Sequence, residues 1–142
     1  MAQDRDENLN RIAYEAQNYQ QQGQFMQQQL GSIQMTINEV GTSIATLKNI
    51  EKAKDNEVLL PLGAGAHVSA RLVNTQSVML NIGSDVIAQK PLAEAITILE
   101  ERMKRLESMR DKLQEGILEV SKRLDQLDTE ANSLLEKKGG KQ

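Results

Sequence analysis

Two long series of apolar residues at heptad spacing flank a short central region that follows a different rule, and no other feature restricts the fold so strongly. In the first half, Leu9, Ile12, Ala16, Tyr19, Gly23, Met26, Leu30, Ile33, Ile37, Val40, Ile44 and Leu47 recur at alternating spacings of three and four. In the second half, Leu92, Ile96, Leu99, Met103, Leu106, Arg110, Leu113, Ile117, Val120, Leu124, Leu127, Ala131 and Leu134 do the same. A seam sustained over so many heptads is not that of an ordinary globular helix, whose apolar stripe drifts with the 3.6-residue period. Each half therefore reads as a coiled-coil strand.

Composition removes most other classes. Hydrophobic residues make up 39% and charged residues 26%, with one Phe, two Tyr and no Trp, which is too little bulk for a spherical core. The net charge is -3 and the basic residues are scattered, so the basic patch of a nucleic-acid binder is missing. With no cysteine there is no disulfide framework and no thiolate metal site, which fits a cytoplasmic location. The longest apolar run, Val58 to Ala66, is far shorter than the roughly 20 residues that span a bilayer, so neither a signal peptide nor a membrane segment is expected.

The chain reads as a single domain over residues 1–142, mainly α with a small β region. Residues 1–54 form an N-terminal helix running from about Gln3 to Lys54, with Asp4, Asp6 and Glu7 at its start and Lys48, Lys52 and Lys54 near its end. Residues 91–138 form the second, from Pro91 with Glu94 in its first turn to Lys137 and Lys138, and residues 139–142 are a flexible tail. Helices of this size each reach about 70 to 75 Å.

Between them, residues 55–90 alternate with period two. Val68, Ala70 and Leu72 oppose His67, Ser69 and Arg71, and Val78, Leu80 and Ile82 oppose Ser77, Met79 and Asn81. Turn residues at Gly63-Ala64-Gly65, Asn74-Thr75-Gln76 and Gly83-Ser84-Asp85 separate four short segments, which predicts two hairpins in sequence. Pro61 places the first segment at an edge or beside a bulge. The simplest connection is an antiparallel two-helix coiled coil with the hairpins at the bend. Hairpins this small, without large aromatics, bury too little to stand alone, so their strands are expected to pair with other chains.

Here the residues resemble a family. Leu60-Pro61-Leu62-Gly63-Ala64-Gly65, then Val68-x-Ala70-x-Leu72, then Val78-Met79-Leu80-Asn81-Ile82-Gly83, and Val86 leading into Ala93-Glu94-Ala95-Ile96, are similar to the alpha class of prefoldin, of the archaeal type. The resemblance extends over essentially the whole chain. It implies that two alpha subunits and four beta subunits join their hairpins into a β-barrel platform from which coiled-coil tentacles project. The oligomerisation strands would then use Leu60, Leu62, Val68, Ala70, Leu72, Val78, Leu80, Ile82 and Val86.

Nothing in the sequence assembles a catalytic site. His67 has no cysteine or second histidine to complete a metal shell and reads as a surface or interface residue. Gly63-x-Gly65 precedes neither Lys-Ser nor Lys-Thr nor a helix, so it is a turn and not a phosphate cradle. Glu100, Glu101, Glu107 and Asp111 alternate with Arg102, Lys104, Arg105 and Lys112 as pairs on a solvated helix. The chain is expected to be a non-enzyme that needs no cofactor.

Function is then sought on surfaces. The heptad phase puts Tyr14 and Phe25 on the outer face of the first helix and Leu135 beside the seam of the second. Leu9, Ile12, Leu127 and Leu134 fall near the chain ends, where a frayed coiled coil exposes its own seam, although they also serve simply to close it. The resemblance implies that such tips capture unfolded polypeptides without ATP and hand them to a group II chaperonin; Lys137, Lys138 and Lys141 either add basic contacts there or form a solvated basic tail, the second being favoured. Gly23, Gly31, Gly41 and Gly116 either soften the arms or admit the other helix closely. Arg110 either fixes register or turns outward while Met109 packs, the second being favoured. The glutamines between Gln17 and Gln29 read as a neutral exposed face. A structural tether or adaptor for defined folded partners is the alternative reading.

Overall fold

The computed structural model describes residues 2–53 and 55–139, with side chains through Glu136. Expectations for Met1, Lys54, Gly140, Lys141 and Gln142, and for the side chains of Lys137 and Lys138, lie outside the described residues. In chain order the elements are α1 (Ala2–Lys52), β1 (Glu57–Gly63), β2 (Ala66–Arg71), β3 (Ser77–Gly83), β4 (Val86–Pro91) and α2 (Leu92–Gly139). Two long helices thus enclose two antiparallel hairpins, β1 with β2 and β3 with β4, each its own two-stranded sheet. Pro91 closes β4 opposite Ser77 and does not open the helix, because a residue without an N–H is well placed at the end of a ladder. At its other end α2 continues to Gly139, one residue past the expected stop.

Contacts divide the chain into two compact units, Met1–Gln34 with Ser108–Gln142, and Met35–Glu107. In the first, α1 and α2 run antiparallel, since Arg11 meets Glu130 while Met26 lies beside Gly116. Ile12, Val120 and Leu127 are its buried apolar residues. Its glycines act as notches: a Cβ on Gly23 would stand 3.3 Å from Val120 Cγ1, and one on Gly116 would stand 3.1 Å from Met26 Cε. Close packing, not softness, accounts for both. Gly31 has open space around its Cβ position.

The second unit holds the larger core. Leu47, Ala95, Ile96 and Leu99 are buried together, with Val40, Ile44, Ile50 and Leu92 around them. Val78 and Leu80, the inward pair of β3, pack on this cluster. Arg102 Nη2 donates to the Asn81 carbonyl, and Lys48 pairs with Glu100 at 3.2 Å. The β3–β4 hairpin is therefore seated on its own helices.

The β1–β2 hairpin repeats the same design at an offset of 20 residues. Glu57↔Arg71, Val58↔Ala70 and Leu60↔Val68 correspond to Ser77↔Pro91, Val78↔Lys90 and Leu80↔Ala88, and the register shift at Pro61/Gly63 recurs at Asn81/Gly83. Both turns put two consecutive residues at positive φ, Ala64 (51°) with Gly65 (80°) and Ser84 (47°) with Asp85 (64°), as a type I′ hairpin requires. The Leu72 N–H donates to the Asn56 carbonyl just as the Leu92 N–H donates to that of Gln76, closing both hairpins alike. Burial differs at one corresponding pair, since Leu60 is exposed where Leu80 is half-buried on the core, while Leu59, Leu62 and Val68 of the first hairpin and Met79, Ile82, Val86 and Ile87 of the second are all exposed.

The glycine environments make a direct prediction. Gly31→Ala gains helix propensity without a clash and should raise stability by up to about 1 kcal/mol. Gly116→Ala requires the end of Met26 to give by a few tenths of an ångström and should keep less of that gain. Urea titration of the helical circular dichroism signal should separate the two variants; equal gains would contradict the notch.

Candidate functional site

Residues at the terminal end of the first unit sort by exposure. Ile12 is 4% exposed and Leu127 1%, so both close the seam, and each contributes about 1.5–3 kcal/mol by burial. Leu9 and Leu134 are half-buried. Tyr14 (67%), Phe25 (60%) and Leu135 lie open to solvent. Tyr14, Phe25 and Leu135 are thus available to a partner as the chain stands, whereas Ile12 and Leu127 become available only where the helices part.

What holds the helices together here is partly ionic. Glu15, half-buried on α1, accepts from Arg11 Nη1 at 3.1 Å and from Arg123 Nη2 of α2 at 3.4 Å. Arg11 Nη2 in turn donates to Glu130 Oε1 at 3.3 Å. The hydrogen bonds that Arg11 donates to Glu15 and then to Glu130 raise its pKa above the ordinary value. Single exposed pairs add little, but here one carboxylate is shared by two guanidinium groups on two helices. Heptad reading missed this network. The Arg11–Glu15 spacing of i,i+4 was visible in the sequence, but the cross-helix partners depend on the register between helices.

A second feature lies further along α1. Phe25, Ile33, Met109 and Leu113 line an open groove of about 570 Å³ whose rim carries Gln28, Gln29, Ser32 and Lys112. Met109 is exposed here, which corrects the expectation that it would pack in the seam. Arg110 keeps the seam position, half-buried, and donates from Nε to Asp111 Oδ1 at 3.2 Å. Its aliphatic stem is long enough to pack on apolar neighbours while the head stays wet, so no outward turn is needed.

The strand residues expected to join subunits all lie in the second unit. Val78 and Leu80 are half-buried on the local core and Ala70 is half-buried in β2, whereas Leu60, Leu62, Val68, Ile82 and Val86 are exposed. Leu72, just past β2, is half-buried. His67 Nδ1 donates to the Gly65 carbonyl at 3.2 Å and so belongs to the hairpin turn. Among the described residues no helix is long and apolar enough to cross a membrane.

The Glu15 network makes a prediction of its own. Glu15→Gln should speed amide hydrogen exchange around residues 8–16 and 123–131 while leaving that of the second unit unchanged. Salt near 1 M, with a Debye length of about 3 Å, should move the wild type toward the variant. Indistinguishable exchange in wild type and variant at low salt would show that the network does not hold this end.

Comparison with known proteins gives a consistent result. The family described as Prefoldin subunit matches residues 19–137. The prefoldin subunit alpha of Pyrococcus horikoshii is 32% identical over 139 residues, covering 96% of this chain and 93% of that protein. That of Methanospirillum hungatei is 34% identical over 122 residues, covering 81% and 82%. In three dimensions the chain is similar to a subunit in the cryo-EM structure of filamentous PFD from Methanocaldococcus jannaschii, with a TM-score of 0.64, 26% identity, and coverage of 82% of this chain and 97% of that one. With two long helices, paired hairpins and a family match over most of its length, the chain belongs to the prefoldin family.

Proposed function

We propose that this chain is the alpha-type subunit of a cytoplasmic, ATP-independent holdase, in which two copies assemble with four beta subunits through the hairpins. The coiled-coil ends of the complex capture unfolded polypeptides and pass them to a group II chaperonin. The reading includes no enzymatic step, no cofactor, no nucleic acid and no membrane. The observation that carries it is the apolar strand surface that both hairpins leave uncovered among the described residues, Leu59, Leu62 and Val68 on the first and Met79, Ile82 and Val86 on the second. Apolar strands with free edges demand partners. The second support is the solvent-exposed set Tyr14, Phe25 and Leu135 beside a seam whose outermost members, Leu9 and Leu134, are only half-covered.

The mechanism follows from multivalency. Unfolded proteins offer many short apolar segments, and no single shallow contact holds one for long. Several arms around one cavity raise the effective concentration of each contact for the next, so capture is firm while each arm releases quickly. A tether or adaptor would show the same heptads, and it differs in ignoring denatured proteins.

Two variants test the proposal. Leu62→Asp with Val68→Asp should prevent assembly with a prefoldin beta subunit, read by native mass spectrometry, while helix content is unchanged. Removal of Met1–Ile12 and Leu127–Gln142 should leave the oligomer intact and abolish co-elution of a denatured test protein on size exclusion. Trimmed complexes that still hold the test protein would place capture elsewhere than at the coiled-coil ends.

A further inference from the structure

From Ala16 to Asn38, α1 carries no charged residue, in a chain of which 26% is charged. Across the same unit α2 is charged throughout, with Asp111, Lys112, Glu115, Glu119 and Lys122 among its exposed residues. Tyr14 and Phe25 are both exposed, and they stand 11 residues apart. Three helical turns return a side chain to within about 20° of its starting direction, so these two aromatics share one face at a separation of about 16 Å. On that face between them lie Asn18, Gln21 and Gln22, all exposed. The face ends in the groove lined by Phe25, Met109 and Leu113.

We infer that this face of α1 is a lateral client site, which takes one extended, uncharged stretch of unfolded polypeptide along the helix from Tyr14 to the Phe25 groove. This rests on the chaperone reading proposed above and adds to it a surface that extends the hold of the coiled-coil ends and does not capture without them. About five residues of extended chain cover the distance between the aromatics, so one segment reaches both. Each aromatic offers a rigid apolar contact at the cost of ordering two torsions. Each amide side chain both donates and accepts, which matches the free N–H and C=O groups of an unpaired backbone whatever its side chains. Met109 adds a flexible thioether that fills against many shapes. The missing charge names the occupant: a folded partner of fixed surface is selected and steered by placed charges, whereas a ladder of neutral amides between aromatics discriminates little by sequence.

The test uses the complex assembled with beta subunits, carrying a photo-crosslinking residue at Gln21 in one sample and at Leu118 in another. Leu118 is an exposed apolar position, 70% accessible, that lies outside this groove. A chemically denatured test protein should crosslink at Gln21 and not at Leu118. Phe25→Ala should weaken capture by about tenfold, as loss of one aromatic contact does, and a Gln21→Glu, Gln22→Glu double variant should weaken capture of an acidic test protein more than that of a basic one. If the complex holds the test protein while Gln21 stays uncrosslinked and Phe25→Ala is neutral, the lateral site is wrong and capture at the ends stands. If the wild-type complex holds no denatured protein at all, the chaperone reading fails and the lateral site fails with it.

Discussion

The seam between α1 and α2 is the interaction on which everything else depends. Neither helix has an apolar face wide enough to be stable by itself in water, and neither hairpin has a core. Packing along the seam fixes the register of one helix against the other, and the register then decides which polar residues meet. Glu15 finds Arg123 and Lys48 finds Glu100 only because the apolar positions between them have already been paired. Gly23 and Gly116 serve the same end, since each vacates the space that Val120 or Met26 fills. The seam also decides what stays open: Tyr14, Phe25, Met109 and Leu135 lie outside the seam positions and are exposed.

Two nearly identical ladders occur in one chain, and the buried cluster on the helices is built from Leu47, Ala95, Ile96 and Leu99. Val78 and Leu80 pack on it. The first hairpin keeps its shape through its own ladder, its type I′ turn and the Leu72 to Asn56 hydrogen bond, with Val58 half-buried and Leu59, Leu60, Leu62 and Val68 exposed.

Most of this architecture was legible in the sequence, for a physical reason. Heptad spacing reports burial directly, and every residue of both predicted seams is buried or half-buried. Period-two alternation and the Gly63-Ala64-Gly65 and Gly83-Ser84-Asp85 turns located the hairpins equally well. Arg110 and Met109 show the limit, because pattern alone does not say whether a long cationic side chain will lie in a seam or leave it. The exact correspondence of the two ladders was also hidden, since only a few side chains, such as Val58 with Val78 and Leu60 with Leu80, repeat, and the likeness resides in backbone pairing. Cross-helix ion pairs and the Phe25 groove need the register of one helix on the other, which no single stretch of sequence contains.

The central claim is that exposed apolar surface on the coiled-coil arms holds non-native protein without nucleotide. Light scattering during dilution of a denatured test protein into buffer containing the complex of this chain with a prefoldin beta subunit, without ATP, tests it most directly. Suppressed aggregation at near-stoichiometric amounts of complex is the predicted result. Aggregation that proceeds unchanged in the presence of a correctly assembled hexamer would contradict the account and favour an adaptor with one folded partner.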